Sequence, residues 1–407
     1  MMRCYIGVDW ADREHAVWVE DEQGTKVTAH AVKQTAEGWA TWGRWLHERR
    51  AEGIELWAGI EKPEGRVVEF LLDHGVVVYP INPRAIHQAR DRFRTSGAKS
   101  DRFDARVIAT FVRTDHAHLH PLEPNSEATQ ELKLLTRDYQ RLVRQQTRLL
   151  NQLTAALKEY YPLALELFDD LASVAAREFL QMWPTPDLAR TRPAAHWRRW
   201  ARAHRLSAAR TTALWEILQQ PPLPIPPGVV RAKARLVGAL LRQLTTTLTA
   251  VEEYRAEVDR FFATLPAAEW ARTLPAGRSG TTLPTLWAEL GDAPGRWQSW
   301  QHLQAQAGSV PVTTESGQHK AVGFRFACNT QLRAAVHQLA FLSLQRSDWA
   351  HAYYTACRKR GHQHHHALRA LGAKWLKIIF VMWSRQIPYD EQRHLATIAR
   401  QRMRQAA

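Results

Sequence analysis

The chain of 407 residues is long enough for about two or three domains, and its 45% hydrophobic content supplies a core. A formal charge of +15 favours a polyanion partner, either nucleic acid or an anionic membrane surface. No apolar run approaches the length of a membrane span and no signal segment opens the chain, which weakens the membrane alternative. Cys4, Cys328 and Cys357 are too scattered for a disulfide framework or a zinc site, so we expect a reducing cytosol.

Residues 1–125 alternate strand and helix signals, which predicts an α/β domain with a mixed sheet. Strands are predicted over four short apolar runs: Tyr5–Val8, Ala16–Val19, Ile54–Ile60 and Val76–Tyr79. The second of these is expected to form a hairpin with the first. Helices are predicted over Glu37–Arg49 and from Asp101 onward.

Four carboxylates in this region stand where an RNase H-like fold would hold metal ligands: Asp9, Glu61, Asp101 and Asp104. Asp9 and Glu61 each follow a predicted strand, whereas Asp101 and Asp104 share one face at the start of a helix. Because clustered carboxylates repel one another unless a cation lies between them, the set predicts a magnesium site and phosphodiester chemistry. Each acid alone is typical of a solvated surface group, and the helical pair also suits a helix N-terminus. The order of the four favours the metal site.

A long helix is predicted from Ser126, with leucines spaced by heptads at Leu135, Leu142 and Leu149. A second heptad run lies at Val237, Leu244, Val251 and Val258, so the two segments predict an antiparallel coiled coil. Between them lie a Trp-rich region and the proline run Gln220–Gly228, a stiff turn or linker. For most of the tryptophans, including Trp197 and Trp200, we favour helix packing over base stacking.

The first long helix also carries a 4-3-4 rhythm of arginines that forms one basic stripe: Arg137, Arg141, Arg144 and Arg148. A solvated face is the usual explanation of such a stripe. Its single sign favours contact with nucleic acid instead.

The C-terminal third contains a Pro/Gly turn, Pro275–Gly280, that resembles a helix-hairpin-helix, whose backbone amides can hold a phosphate. Further on, Ser316 precedes Gly317 in a polar segment with Lys320 and Arg325 nearby. A serine hydroxyl needs a base, a metal or a cation to become a nucleophile, and these cations could neutralise a phosphate under attack. Without other information, a Ser-Gly pair is typical of an ordinary turn.

Taken together, these segments resemble the Asp-Glu-Asp-Asp transposases of the insertion-sequence family IS110, also described as bridge-RNA-guided recombinases. The resemblance covers nearly the whole chain. Its N-terminal motifs are Gly7–Asp9, Ile60–Gly65, Val78–Pro83 and Lys99–Arg106. Its C-terminal motifs are Glu289–Asp292, Ser316–Gly317, Asn329 and Arg333. The turn Pro275–Gly280 departs from the family's usual Pro-Gly-Ile-Gly, which puts its phosphate-binding role in doubt.

The resemblance implies three parts: a RuvC-like, RNase H-fold domain over 1–125, a coiled-coil helical region with a Trp-rich insertion over 126–265, and a helical transposase domain over 266–407. It implies that Asp9, Glu61, Asp101 and Asp104 bind Mg²⁺, and that Ser316 attacks a DNA phosphate to form a phosphoserine bond. The implied partners are donor and target DNA, a bridge RNA and further copies of the chain, as a dimer or tetramer. The expected location is the bacterial cytoplasm, at the nucleoid.

Nucleic-acid contacts are expected from the stripe arginines and from Lys320, Arg325 and Arg333. The histidines His362 and His364–His366 are interpreted as surface or phosphate-contacting residues. Two alternatives stay open: a RuvC-like junction-resolving endonuclease that uses activated water, and a non-catalytic RNA- or DNA-binding protein. Because a long stretch of chain separates Ser316 from Asp104, we expect the complete site to form between subunits.

Overall fold

The computed structural model describes residues 2–61, 65–93, 100–221, 224–277, 280–293, 295–316 and 319–406. Parts of the motifs above lie outside the described residues: 62–64, Lys99, Arg278, Ser279 and Gly317. The chain divides into two compact units, Met1–Ser126 with Asp292–Arg296, and Glu127–Gly291 with Trp297–Ala407. The predicted limit at 265 falls between two helices inside the second unit.

The first unit is built on a five-stranded mixed sheet, which confirms the predicted mixed α/β layout. Its strands are β1 (Arg3–Asp9), β2 (Glu14–Glu20), β3 (Lys26–Lys33), β4 (Glu55–Ile60) and β5 (Val77–Pro80). Their order across the sheet is β3-β2-β1-β4-β5. The strands β1, β2 and β3 form an antiparallel meander, as predicted for the first two, whereas β4 runs parallel to both β1 and β5.

Helices pack on this sheet and close its core. They are α1 (Ala36–Ala51), α2 (Arg66–Asp73), α3 (Pro83–Arg90) and α4 (Asp101–Asp115). The backbone of α4 lies directly against β1, since a Cβ added to Gly7 would meet the carbonyl oxygen of Ala105 at 1.8 Å. Glycine at this position therefore sets how closely α4 approaches the strand that ends at Asp9.

Two long helices, α5 (Glu127–Tyr160) and α11 (Pro227–Thr264), pack along each other in the second unit. An ion pair of 2.6 Å between Glu159 and Lys233 joins the end of α5 to the beginning of α11, so the two helices run antiparallel. Coiled-coil geometry along this pair stays a prediction.

Five short helices connect α5 to α11: α6 (Leu163–Leu167), α7 (Val174–Met182), α8 (Pro186–Thr191), α9 (Ala194–Ala203) and α10 (Ala208–Gln219). Trp197 and Trp200 are buried here against Phe179 and Trp183. The interpretation of these two tryptophans as packing residues is therefore confirmed.

The remaining elements surround a second core of the same unit. They are α12 (Ala267–Ala271), α13 (Thr282–Leu290), α14 (Trp300–Gln306), β6 (Val312–Ser316), β7 (His319–Gly323), α15 (Thr330–Ser343), α16 (Asp348–Lys359), α17 (His364–Arg385) and α18 (Glu391–Ala406). The strands β6 and β7 form an antiparallel hairpin. In the part of the chain that is described, no helix is both long and apolar enough to cross a membrane.

Candidate functional site

Two of the predicted metal ligands lie side by side at one edge of the sheet. Asp9 is the last residue of β1, and Glu61 directly follows β4. The strands are parallel and pair Val8 with Ile60, so the register brings the next residues, Asp9 and Glu61, to the same carboxyl edge. Both side chains are half-buried. Neighbouring parallel strands thus bring together two acids that are far apart in sequence.

The helical acid pair divides into one buried and one exposed carboxylate. Ser100 caps the N-terminus of α4 by accepting a hydrogen bond from the amide of Phe103, which fixes the first turn. Asp104 is only 1% exposed, whereas Asp101 is exposed to solvent. Since α4 packs on β1, the first turn of the helix delivers Asp104 to the sheet, whereas Asp101 stays at the surface.

An arginine that the sequence did not single out, Arg90 at the end of α3, joins these acids. Its Nε lies 2.7 Å from Oδ1 of Asp104, and its Nη2 lies 3.7 Å from Oε1 of Glu61. The geometry of the closer pair is that of an ion pair rather than a hydrogen bond, and neither Asp104 oxygen has a hydrogen-bond partner in the structure. Arg90 supplies the positive charge that clustered carboxylates require.

The structure connects these acids in pairs: Asp9 with Glu61 through strand register, and Glu61 with Asp104 through Arg90. Among the described residues, no group of three or more His, Cys, Asp or Glu side chains could hold a metal ion. The magnesium site therefore remains a prediction, with Asp9, Glu61 and Asp104 gathered by the fold and Asp101 exposed nearby in sequence. Nothing in the sequence pattern marked Arg90, because it ends a short helix and lies away from the strand ends and the helix start that carry the acids.

Ser316 lies in the second unit, at the tip of the β6–β7 hairpin. It is the last residue of β6, is exposed, and pairs in register with His319 of β7. Next to it, Glu315 and Lys320 form an ion pair across the two strands. The sequence indicated a polar loop here, and the structure instead holds Ser316 at the exposed end of a strand.

The other predicted cations of this region take different positions. Lys320 is exposed on the hairpin, while Arg325 and Arg333 lie at its base. An Nη2 hydrogen of Arg333 is donated to the backbone carbonyl of Arg325 at 2.5 Å, and the same nitrogen contacts the thiol of Cys328. Burial raises the pKa of this Cys328 thiol, and the charge of Arg333 partly offsets that effect.

A buried carboxylate, Glu289 at the end of α13, connects three helices of the same unit. It is 0% exposed and forms two contacts with Arg137 of α5, Nε to Oε1 at 2.9 Å and Nη2 to Oε2 at 3.2 Å. The amide of Asn329 donates a third hydrogen bond, to Oε2, at 2.7 Å. Asn329 also caps α15, accepting hydrogen bonds from the amides of Gln331 and Leu332.

The structure therefore departs from the predicted stripe at Arg137, whose guanidinium is bound to Glu289. The reason is that α13 packs on the first part of α5 and covers the face that stays open further along the helix. Arg141, Arg144 and Arg148 are exposed as predicted, with Arg141 also 2.7 Å from Asp138. Periodicity alone cannot detect this cover, because α13 is distant in sequence.

Two transposase family models match the chain. One, described as a transposase and specific to IS110 elements, matches residues 6–162, and one described as "Transposase IS116/IS110/IS902 family" matches residues 272–355. A protein assigned as the mini-circle transposase for IS117 of Streptomyces coelicolor is 32% identical over 98% of each chain. The chain belongs to the IS110 transposase family.

Further relatives agree with this membership. The uncharacterized 44.8 kDa protein of insertion element IS116 of Streptomyces clavuligerus is 26% identical over 93% of this chain and 94% of its own. A Sinorhizobium fredii protein described as a transposase, y4uE, is 38% identical over 46% of this chain and 52% of its own. The first matched segment of this transposase includes Asp9, Glu61, Asp101 and Asp104, and the second includes Glu289, Ser316 and Asn329.

The buried Glu289 pair generates a stability prediction. Arg137→Ala leaves a buried carboxylate without its cation, and we expect it to lower the free energy of unfolding by about 3–5 kcal/mol. Arg141→Ala, one helical turn away on the same helix, removes only an exposed pair and should cost less than about 1 kcal/mol. Urea unfolding of both variants measures the difference. Equal decreases in the free energy of unfolding would show that the buried Arg137–Glu289 pair stabilises the fold no more than the exposed pair.

Proposed function

We propose that this transposase of a mobile element exchanges DNA strands through a covalent phosphoserine at Ser316, assisted by the acidic edge of its sheet domain. One observation supports the proposal: strand register brings Asp9 beside Glu61, and Arg90 connects Glu61 to the buried Asp104, whose oxygens accept no hydrogen bond from the described residues. Burying a charge in this way is costly unless it serves a cation or a reaction. The exposed strand end at Ser316 supports the choice of nucleophile.

The covalent step conserves the energy of the broken bond. As Oγ of Ser316 bonds to phosphorus, the bond from phosphorus to a sugar oxygen breaks. The hydroxyl proton leaves to a base, and the departing sugar oxygen takes up a proton. A sugar hydroxyl of the exchanged strand then attacks the phosphoserine, which reseals the DNA and restores the serine, so no ATP is required.

The residues at the acidic edge fit a divalent cation. Carboxylates are the ligands that Mg²⁺ prefers, and transposases of this Asp-Glu-Asp-Asp type generally use divalent metals. Asp9, Glu61 and Asp104 would hold the ion, with Asp101 as a further acid at the surface. Magnesium, when bound, supplies charge stabilisation at the phosphate oxygens. The role of Arg90 is to neutralise Glu61 and Asp104 until a cation replaces it.

A trapping experiment tests the nucleophile. Full-length protein is incubated with supercoiled DNA carrying an end of the element, and protein–DNA adducts that resist denaturation are measured. Ser316→Ala should form no adduct because it lacks Oγ, whereas Thr314→Ala, two residues earlier on the same strand, should form it at the normal level. Asp104→Asn should lose strand exchange while DNA binding persists.

The outcomes separate the alternatives. DNA cleavage that survives in Ser316→Ala would indicate a junction-resolving endonuclease with activated water, and an adduct on any other residue would exclude Ser316. A mixture of Ser316→Ala and Asp104→Asn proteins should regain some activity if sites form between subunits.

We also propose, from the family resemblance, that a structured RNA selects the DNA sites. Sequencing of RNA that co-purifies with the protein checks this, and absence of any specific RNA would contradict it.

The Arg90 role predicts a change in metal affinity. Arg90→Gln removes the competing charge, so we expect Mg²⁺ or Mn²⁺ to bind about tenfold more tightly, as roughly 1.4 kcal/mol would give. The exposed Arg84 of the same helix provides the control, since Arg84→Gln should leave affinity unchanged. Calorimetric titration measures both. Unchanged affinity in a folded Arg90→Gln protein would show that Arg90 does not occupy the place of a cation.

The exposed arginines predict the salt dependence of DNA binding. We propose that Arg144 and Arg148 contact phosphates, with Arg141 beside them, because they form a single-sign exposed face. The double variant Arg144→Gln/Arg148→Gln should lower the slope of log affinity against log salt by about 2. Arg260→Gln, which removes an arginine paired with Glu257 on α11, is the control. An unchanged slope would leave the stripe as a solvated face.

A further inference from the structure

A cavity of about 300 Å³ lies at the base of the hairpin that carries Ser316. Ser309 precedes β6 and Phe324 follows β7, so the two ends of the hairpin form part of the cavity wall. The rest of the wall comes from α15 and α17, which contribute aliphatic side chains and four basic ones: Arg333, His337, His365 and Arg369. The volume is at the small end of the range for ligand sites.

The basic side chains of this hairpin-base cavity form two pairs, the arginines over one ring and the histidines in contact with each other. Arg333 and Arg369 lie 4.5 and 5.3 Å from the ring centre of Phe324. Nδ1 of His365 is 3.3 Å from Nε2 of His337. None of the described residues lining the cavity is acidic. Two guanidinium groups on one ring, with no acidic residue in the described lining, favour an anion as the occupant.

Two further observations point to an anionic occupant. Nε of Arg333 is buried without a hydrogen-bond partner in the structure, although such donors are normally satisfied. Burial, together with the nearby charges of His365, Arg369 and His364, lowers the pKa of His337. The lowered pKa of His337 favours its neutral form, so the two arginines supply positive charge to the cavity, and the unused Nε–H of Arg333 is a donor available to an anion.

An exposed aromatic side chain stands beside the cavity. Phe326 is 81% exposed, and its ring contacts Phe324 edge-on with the ring centres 5.1 Å apart. Exposed rings next to phosphate-binding cations are the usual arrangement for stacking an unpaired base. A free phosphate would leave this ring without a partner, whereas a nucleotide would use both the ring and the cations.

We propose that the hairpin-base cavity receives the phosphate of one unpaired nucleotide of a DNA strand, whose base stacks on Phe326. Arg333, Arg369 and the His337–His365 pair would hold the phosphate. DNA is the partner we favour because the chain is a transposase. The proposal rests on that activity and not on Ser316 as nucleophile, and it gives His365, one of the unexplained cluster of histidines, a binding role.

The test compares a fluorescent 12-nucleotide single strand of thymidines with a strand of the same length and phosphate count that lacks its bases. Full-length Phe326→Ala should bind the thymidine strand about tenfold more weakly but the abasic strand normally, since only base stacking is lost. Arg369→Gln should weaken both and lower the salt slope by about 1. The matched control is Arg242→Gln, which changes an exposed arginine of α11. It should alter the two affinities and the salt slope less than Arg369→Gln does.

Three results would overturn the proposal: normal binding of both strands by Phe326→Ala, equal weakening of both strands by Phe326→Ala, or an Arg369→Gln slope equal to that of the control. The first of these results, combined with weaker binding by Arg369→Gln, would indicate a simple phosphate site. Ser316→Ala should bind both strands normally. The adduct assay can therefore exclude Ser316 as nucleophile while the nucleotide site holds, and the strand-binding assay can exclude the nucleotide site while Ser316 remains the nucleophile.

Discussion

The second unit depends on one fully buried carboxylate. Glu289 is satisfied by three hydrogen bonds, two from Arg137 and one from Asn329, and these place α5, α13 and α15 in fixed relation to one another. A buried charge tolerates little displacement of its partners, because each lost contact leaves it unpaired in a low dielectric. Since Asn329 also caps α15, the same contacts set where the chain leaves the hairpin-base segment and enters the helix.

Asp104, the buried acid of the first unit, has fewer hydrogen-bond partners than Glu289, and this difference indicates a different role. Asp104 is nearly as inaccessible as Glu289, yet among the described residues Arg90 is its cation and no group donates a hydrogen bond to its oxygens. Glu289 is therefore saturated and suited to fix a fold. Asp104 retains acceptor capacity and is suited to exchange one cation for another. The close packing of α4 on Gly7 holds Asp104 in place without using its oxygens.

The sequence predicted the strands that are buried, because their apolar runs are short and uninterrupted. It missed β3, which has one buried residue and no continuous apolar run, and it missed the hairpin β6–β7, in which every residue of β6 is exposed. The sequence put Asp9 and Glu61 each after a predicted strand, and the parallel pairing of those strands brings both acids to one edge. Arg90 and the pairing of Arg137 with Glu289 were not found, because both depend on a partner more than ten residues away whose position only the folded chain determines.

A two-stranded hairpin of five residues on each side is marginally stable by itself in water. Contacts at the base of the hairpin must therefore help to fix the position of Ser316. There Gly308 adopts a positive φ of 61° and leaves room for Arg333. A Cβ on Gly308 would lie 2.4 Å from Nη2 of Arg333, so the turn and the cation are fitted to each other. Arg333 in turn binds the backbone of Arg325 beyond β7. An anion held by Arg333 would act on both ends of the hairpin at once, which links the occupancy of the cavity to the position of the serine at the tip.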